Sequence, residues 1–323
     1  MTFPTDHQDL GHGTHLIDIK LYRDHLGACY LIQDGDEFAM VDCGTQHSQP
    51  QILQTLKAAG GTPEQVRWVI PTHVHLDHAG GAGQLMKVCP NATLVTHPKG
   101  HPHMVDPSKL QAGATAVYGE EPFAKDYGEL IPIDASRCEA AEEGHALQLG
   151  NRTLTIIHTP GHANHHCCVF DSASQYLFTG DTFGLGYREF GEENPYITCT
   201  SSPVAFDPDA WMDSLDRMMA LKPSAVCLTH YGLYPNPEKW VDGLRGSINR
   251  HAQIAIDEES NSTEGRAERL AKAVEHELVD GAVAHCGIDR DAALKIFEGD
   301  IDLNSQGLGV WLIRRAKSRG NAS

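Results

Sequence analysis

The chain has 323 residues, of which 41% are hydrophobic and 21% charged, with 31 glycines and 17 prolines. This composition is typical of a globular protein rich in turns, with one large domain or two modest ones. The formal net charge of -18 would repel a phosphate backbone, so we expect no nucleic-acid partner unless a bound cation overrides the field.

The cysteines predict a reducing environment. Nine of them are scattered along the chain, mostly inside apolar runs, which favours free thiols and a cytoplasmic location. The first thirty residues lack the pattern of a secretory leader, and no apolar run approaches the roughly 18 residues of a membrane span. We therefore expect no membrane partner.

The first half of the chain alternates between strands and helices. Residues 27–44, "GACYLIQDGDEFAMVDCG", predict a hairpin around the Asp-Gly pair at 34 and 35. A helix near 48–59 precedes the apolar strand "VRWVI", which must end at Pro71 because proline cannot donate to a strand ladder. A further short strand is predicted at 92–98. The alternation predicts a sheet covered by helices on its outer face.

The polar stretch 98–130 is punctuated by glycine and proline and has no long period, so we interpret it as a lid or inserted loop. The histidines of this region, His97, His101 and His103, are expected to be solvated loop residues, one of which could meet substrate. Residues 145–181 then predict four strands separated by turns, and strand signals cease after 225–232.

From about residue 238 the pattern is helical. One helix is predicted to open with a capping box at Ser262 or Thr263, and its apolar residues at helical spacing are Leu270, Val274 and Leu278. "DRDAALKIFE" and "GLGVWLIRRAK" predict two shorter helices. We therefore expect a domain at 1–237, with the insert at 98–130, followed by a helical tail at 238–323.

Four clusters of polar residues end apolar runs. The densest is "PTHVHLDHAGG" at 71–81, which places three histidines and an aspartate on one strand-to-helix turn, where unliganded polar groups would be costly to converge. The other three are "HTPGHANHH" after "LTII", "FTGDT" after "SQYL", and "LTHYG" after "AVC". Convergence of the four clusters on one rim is the simplest interpretation.

These segments resemble the metallo-β-lactamase superfamily, whose signature pairs His-x-His-x-Asp-His with a later Gly-His, an Asp and a final His. The resemblance runs over roughly residues 27–232 and implies an α/β fold, a four-layer αβ/βα sandwich with a C-terminal helical extension here. It implies that Asp42 supports ligands and that His166 occupies a family position beside them. The implied ligands are His73, His75 and His162 for a first metal, Asp77, His78 and His230 for a second, and Asp181 as the bridge.

Imidazole and carboxylate donors without thiolate suit zinc, and equally iron or manganese. Two such divalent transition-metal ions lower the pKa of a trapped water towards about 7 and polarise a substrate oxygen. Asp77 is the predicted catalytic residue because it can orient the resulting hydroxide. We therefore predict a metal-dependent hydrolase of a small-molecule ester, thioester or lactone.

Alternatives stay open at this point. They are a phosphodiesterase, a mononuclear iron sulfur dioxygenase, and a non-catalytic ligand-binding or signalling protein. The general acid is Tyr187, Tyr231 or water, and a homodimer is left open. An apolar set in the 184–206 loop and the tail is expected either to line an acyl pocket or only to pack the tail, namely Phe190, Tyr196, Ile197, Phe297, Leu308, Val310 and Trp311. Cys43 is expected to pack rather than react.

Overall fold

The computed structural model describes Phe3, residues 7–202 and residues 204–320, which group into two compact units. The predicted domains 1–237 and 238–323 stay a prediction, and the contacts within the chain add that the segment 181–221 groups with the tail. Unit 1 contains the described residues up to His158, His165–Gly180 and Lys222–Pro237, and unit 2 contains Thr159–Asn164, Asp181–Leu221 and the described residues from Glu238 onward.

Both β-sheets belong to unit 1. In the first, seven strands lie in chain order, with antiparallel pairing up to the fourth strand and parallel pairing from there on. The parallel half delivers the carboxyl ends of its strands to one edge. The strands are β1 His7–Asp9, β2 Thr14–Asp18, β3 Ala28–Asp34, β4 Glu37–Val41, β5 Val66–Ile70, β6 Thr93–Thr96 and β7 Cys138–Ala140.

The second sheet has six strands in the order β13-β12-β11-β10-β9-β8. All pairs are antiparallel except β11 with β12. The four strands predicted within 145–181 are confirmed as β8 to β11, whereas β13 contradicts the prediction that strands cease after "LTHYG". The strands are β8 Ala146–Leu149, β9 Arg152–His158, β10 Cys167–Asp171, β11 Tyr176–Gly180, β12 Ala225–Leu228 and β13 Gly232–Pro235.

The helices of unit 1 confirm the one predicted near 48–59 and correct the insert. The stretch 98–130 is not a loop: three short helices lie between 101 and 126, because Phe123 and Tyr127 pack with Leu76 and with apolar residues of the insert that are distant from them in the chain. The helices are α1 Gln49–Ala58, α2 Leu76–Ala79, α3 Ala82–Val88, α4 His101–Val105, α5 Ser108–Tyr118 and α6 Glu120–Asp126.

Alternation along the strands divides the apolar residues of unit 1 between two cores. In β3, Tyr30 belongs to the core shared by the two sheets and Leu31 to the core beneath α1 and α3. Because the central strands are covered on both faces, they read as continuous apolar runs. Each fully buried large side chain stabilises the fold by about 1.5–3 kcal/mol.

Unit 2 is helical, and three sequence predictions change here. The helix with Leu270 and Val274 begins only at Arg266, after Gly265 in a left-handed conformation, and no side chain caps it. A π-helix, His276–Asp280, follows it directly. The two short terminal helices are one. The helices are α7 Pro208–Ala220, α8 Val241–Asp257, α9 Arg266–Glu275, α10 Gly281–Cys286 and α11 Arg290–Gly320.

Helix α11 is continuous because packing overrides its local breaks. It begins after Asp289, whose carboxylate accepts the backbone N–H groups of Asp291 and Ala292, each at 3.1 Å. It then packs along α9 and α8. Interior glycines weaken a helix by only about 1 kcal/mol each, which such tertiary contacts offset.

The apolar set that left two roles open is mostly core of unit 2. Phe190, Phe297 and Leu308 are 0% exposed, and the rings of Phe190 and Phe297 stack with centroids 4.6 Å apart. These three residues therefore pack the tail onto the 184–206 segment, and a pocket role for the other residues of the set stays a prediction.

Among the described helices, none is long and apolar enough to cross a lipid bilayer. All nine cysteines are free thiols, and Cys286 is the exposed one.

Candidate metal centre

The densest polar cluster lies where the sequence predicts it, on a strand-to-helix turn. Strand β5 ends at Ile70, and α2 begins at Leu76 with His75 in the N-cap position. Val74 is 1% exposed and anchors the turn in the core beneath it. The polar side chains on either side of Val74 are therefore held by a packed residue rather than by a loose loop.

Asp77, His78 and His230 meet within unit 1. Asp77 Oδ2 lies 3.5 Å from Nε2 of His78 and 3.2 Å from Nε2 of His230. Ligand atoms of the three residues all lie within 4.8 Å of one another. The first two residues come from α2 and the third follows β12, so two distant segments of the chain bring these three ligand atoms together.

Asp42 orients His78 from behind. Its Oδ2 accepts hydrogen bonds from His78 Nδ1 at 2.8 Å and from the Thr229 hydroxyl at 2.6 Å. Its Oδ1 accepts the Thr72 backbone N–H at 2.7 Å and the Thr72 hydroxyl at 2.9 Å. The carboxylate is 1% exposed and saturated with donors, so it keeps the proton on Nδ1 of His78 and leaves Nε2 for the centre.

His230 is oriented in the same way by a backbone carbonyl. Its Nδ1 donates to the carbonyl oxygen of Leu26 at 2.6 Å, which directs Nε2 towards Asp77. The loop that carries Leu26 is held by the buried Asp18, which accepts the backbone N–H groups of Lys20 and His25, each at 2.9 Å.

His73 and His75 are paired. Nε2 of His73 lies 2.8 Å from Nδ1 of His75, and Nδ1 of His73 lies 3.2 Å from the Thr72 hydroxyl. His166 is 0% exposed and its ring stacks on His73 with centroids 4.8 Å apart. His165 also contacts this turn, because its Nδ1 accepts the Val74 backbone N–H at 3.4 Å.

His162 and Asp181 belong to unit 2, where they face each other. Nε2 of His162 lies 3.4 Å from Asp181 Oδ2, and Nδ1 of His162 lies 3.1 Å from the carbonyl oxygen of Thr200. Gly161 precedes the histidine with φ +141°, and a side chain there would overlap Trp211 of α7. Only glycine lets the chain pass this tryptophan and present His162.

The donor set fits a divalent transition metal. Imidazole nitrogens and carboxylate oxygens converge within each unit, and no thiol lies among the grouped residues of the described chain. Cys43 does not join them, because it is 0% exposed and burial raises the pKa of its thiol well above its usual range. The assignment of the seven residues as ligands stays a prediction.

The histidines of the insert region contact residues of neighbouring strands. His97, expected in solvent, is 8% exposed and packs on the His158 ring with centroids 4.1 Å apart. Burial, followed by the neighbouring His158, lowers the pKa of His97 to about 4. His101 hydrogen-bonds the carbonyl oxygen of Cys138 at 3.1 Å. Both residues support the insert rather than the centre.

Residues 22–230 match the family model described as the metallo-beta-lactamase superfamily. The chain belongs to this superfamily. It is 30% identical to the metallo-beta-lactamase fold-containing protein ST1585 of Sulfurisphaera tokodaii over 60% of this chain and 71% of that protein. It is 26% identical to the atrochrysone carboxyl ACP thioesterase of Aspergillus fumigatus, over 59% of this chain and 46% of the relative. For the acyl-coenzyme A thioesterase MBLAC2 of Gallus gallus, the identity is 25% over 54% of this chain and 64% of that protein.

Solved structures agree on the fold. The crystal structure of ST1585 superposes with a TM-score of 0.62 at 23% identity, over 92% of this chain and 98% of the other. The metallo-beta-lactamase family protein TTHA1429 of Thermus thermophilus gives a TM-score of 0.60 at 20% identity, over 90% of this chain and 95% of the other. The predicted metallo-β-lactamase fold class is confirmed, and so is the predicted enzyme class, a hydrolase of this superfamily.

Sequence reasoning missed the residues behind the ligands. Thr72 and Thr229 each precede a predicted ligand histidine, and both donate to Asp42. The repeated Thr-His pair at two strand ends is a signal that could have found them. The carbonyl groups of Leu26 and Thr200 carry no such signal, because any residue supplies the same acceptor.

Proposed function

We propose that this superfamily hydrolase binds two divalent transition-metal ions, zinc in the first place and iron or manganese as alternatives, and cleaves a small acyl thioester. The proposed ligands are the seven that the sequence predicts. They are His73, His75 and His162 for one ion, Asp77, His78 and His230 for the other, and Asp181 shared by both.

The observation that carries the proposal is the arrangement of Asp77 with His78 and His230. Each imidazole has Nδ1 engaged by an acceptor and directs Nε2 to within 3.5 Å of the same carboxylate oxygen. Packing two imidazole edges against a carboxylate in this way costs orientation freedom, and a shared cation would offset that cost.

When bound, such ions lower the pKa of a water towards about 7 and polarise a carbonyl oxygen. Asp77 is the residue of the trio that can act on substrate, because its side chain is 25% exposed whereas those of His78 and His230 are 0% and 8% exposed. Its carboxylate can hold the attacking water in place and accept its proton.

A thiol leaving group fits this structure because neither candidate tyrosine is placed to act as a general acid. Tyr187 is 4% exposed and donates to the Asp300 carboxylate at 3.1 Å, and Tyr231 is 2% exposed. Neither hydroxyl is presented to solvent as a proton donor. A thiolate departs more easily than an alkoxide because a thiol has a pKa near about 8.5, so thioester cleavage needs no strong general acid.

An apolar cluster lies beside the metal-binding turn. Leu76, which stands between His75 and Asp77 in the chain, packs with Phe123, Tyr127 and Leu130 of the insert. An acyl chain is the part of a thioester that apolar side chains would bind. The names of the atrochrysone carboxyl ACP thioesterase and of MBLAC2 add support for thioester substrates.

The test is a substrate panel run on protein purified without chelator, with metal content measured in parallel. The panel contains acyl-coenzyme A esters, N-acetylcysteamine thioesters, lactones and aryl phosphodiesters. We expect two ions per chain and fastest turnover of thioesters. Fastest turnover of phosphodiesters would favour a phosphodiesterase, oxygen consumption with a persulfide would favour a sulfur dioxygenase, and binding without turnover would favour a ligand-binding protein. Each of these results would overturn the thioesterase proposal.

Asp77→Asn separates catalysis from folding. The amide keeps the shape but cannot take a proton, so turnover should fall by about 10²-fold or more. Asp36→Asn makes the same charge change in the exposed turn between β3 and β4 and should leave turnover unchanged. Equal turnover of the Asp77 variant and wild type, at equal metal content, would remove Asp77 from the mechanism.

A further inference from the structure

Unit 2 orients His162 through a backbone carbonyl. Nδ1 of His162 donates to the oxygen of Thr200 at 3.1 Å, and Nε2 faces Asp181 at 3.4 Å. The position of the Thr200 carbonyl therefore decides both the tautomer and the direction of the ring. Thr200 lies outside any helix or strand, so its backbone must be held by something else.

Asn304 of α11 holds that backbone. Its Oδ1 accepts the Ser201 backbone N–H at 2.8 Å and the Thr200 hydroxyl at 3.2 Å. Its own carbonyl oxygen accepts the Ser201 hydroxyl at 3.2 Å. Three hydrogen bonds thus join one helical residue to two consecutive residues of the segment that positions His162.

The side-chain amide of Asn304 acts through its acceptor oxygen. The side chain is 1% exposed, and its Nδ2 has no hydrogen-bond partner among the residues the structure describes. A buried polar group without a partner costs about 1–3 kcal/mol. The two hydrogen bonds that Oδ1 accepts explain why an asparagine stands at this buried helix position despite that cost.

Gly307 gives independent support, because it brings α11 against the same segment. A side-chain carbon at Gly307 would overlap the carbonyl oxygen of Ser201 and would lie 2.6 Å and 2.8 Å from the carbonyl carbons of Ser201 and Ser202. Positions 304 and 307 are three residues apart and share a face of the helix. Two successive turns of α11 therefore clamp residues 200–202.

We propose that Asn304 is a positioning residue, through which the C-terminal helix α11 fixes the Thr200 carbonyl and with it the metal-facing orientation of His162. This role rests on the proposed function, because His162 is one of the proposed ligands. It also assigns a function to the helical tail: α11 supports the metal centre from behind.

The experiment measures zinc affinity by competition with a chromophoric chelator, for wild type, Asn304→Ala and Asn304→Asp. The alanine variant removes the acceptor and should weaken zinc binding by about tenfold or more, the scale of a lost supporting contact behind a metal ligand. Asn304→Asp keeps an acceptor oxygen and should restore most of the affinity. Ser201→Ala, which loosens the same joint without changing the helix, should give a smaller loss in the same direction and serves if Asn304→Ala does not fold.

Phe297→Leu is the matched control. This residue is also buried in α11 but packs on Phe190, so its replacement should lower thermal stability and leave zinc affinity unchanged. Unchanged affinity in folded Asn304→Ala, or in Ser201→Ala where the alanine variant does not fold, would overturn the inference, as would an equal loss in Asn304→Asp and Asn304→Ala.

A second readout needs no metal. In the metal-free protein, nitrogen-15 spectra of the histidine rings report whether His162 carries its proton on Nδ1, with His162→Gln identifying the signal. We expect the Nδ1–H form in wild type and a mixture of forms in Asn304→Ala. If the wild-type protein binds no zinc but its spectra still differ from those of Asn304→Ala in this way, the proposed function is wrong and the positioning role stands. Identical spectra of the two proteins would contradict the positioning role.

Discussion

Replacing Gly307 with alanine tests how closely α11 packs on residues 200–202. In an exposed helix interior this substitution stabilises a protein by about 0.8–1 kcal/mol, because alanine is the better helix former. At Gly307 the new methyl group would overlap the Ser201 carbonyl oxygen and lie 2.6 Å from its carbon. The helix or the segment must shift, and such overpacking costs about 1–3 kcal/mol.

The net expectation is a loss of roughly 0–2 kcal/mol in the free energy of unfolding, once the propensity gain is subtracted. Gly299 is the matched control: it lies in the same helix, and a side chain there would meet nothing within 4 Å. Gly299→Ala should therefore stabilise the protein by up to about 1 kcal/mol. Because both variants gain the same helix propensity, they should differ by the overpacking cost of roughly 1–3 kcal/mol, with Gly307→Ala the less stable.

The assay is urea unfolding of the metal-free protein, followed by circular dichroism, with the two variants and wild type compared at equal m-values. Metal-free conditions keep any change in zinc binding out of the comparison. If Gly307→Ala proves as stable as Gly299→Ala, the close approach of α11 to Ser201 is wrong, and the support that Gly307 lends to the role of Asn304 is lost with it.

Two further predictions concern groups buried behind the surface. Asp42→Asn removes a carboxylate that accepts four hydrogen bonds, including one from His78, and should weaken zinc binding by about 10–100-fold in the same chelator competition; unchanged affinity would contradict its orienting role. Burial lowers the pKa of His251 to about 4, below its unfolded value near 6.5, so folding excludes a proton and stability is lost as the pH falls from about 6.5 to 4. That loss of stability is about 2 kcal/mol at pH 5, and His251→Leu should remove it. Urea midpoints measured at pH 7 and pH 5 check this, and an equal fall in variant and wild type would contradict the account.

Much of the structure of unit 1 can be predicted from local sequence patterns. Strands β5 and β9 are recognisable from the buried β-branched and other apolar residues that recur along them, and the polar clusters follow directly where these strands end. Asp77 and His78 could be named as candidates because the spacing of donors within one turn is a property of the sequence itself. The hairpin of β3 and β4 was equally visible, since its Asp-Gly turn is a local signal.

The tertiary structure decided what depends on partners distant in the chain. Strand β13 was missed because its short, glycine-led sequence pairs only when β12 is already beside it. Helix α11 runs unbroken through three glycines because α8 and α9 cover it, whereas its own propensity suggests two pieces.

The same holds for the residues that position the centre. Asn304 reads as an ordinary polar residue in a helical tail, and only the fold brings its amide to Thr200 and Ser201, more than a hundred residues earlier. Patterns of ligands and of buried faces are encoded over a few residues, because they follow the geometry of one strand or one turn. Support for those ligands comes from carbonyl groups and single side chains whose partners are set by packing, and packing is a property of the whole chain.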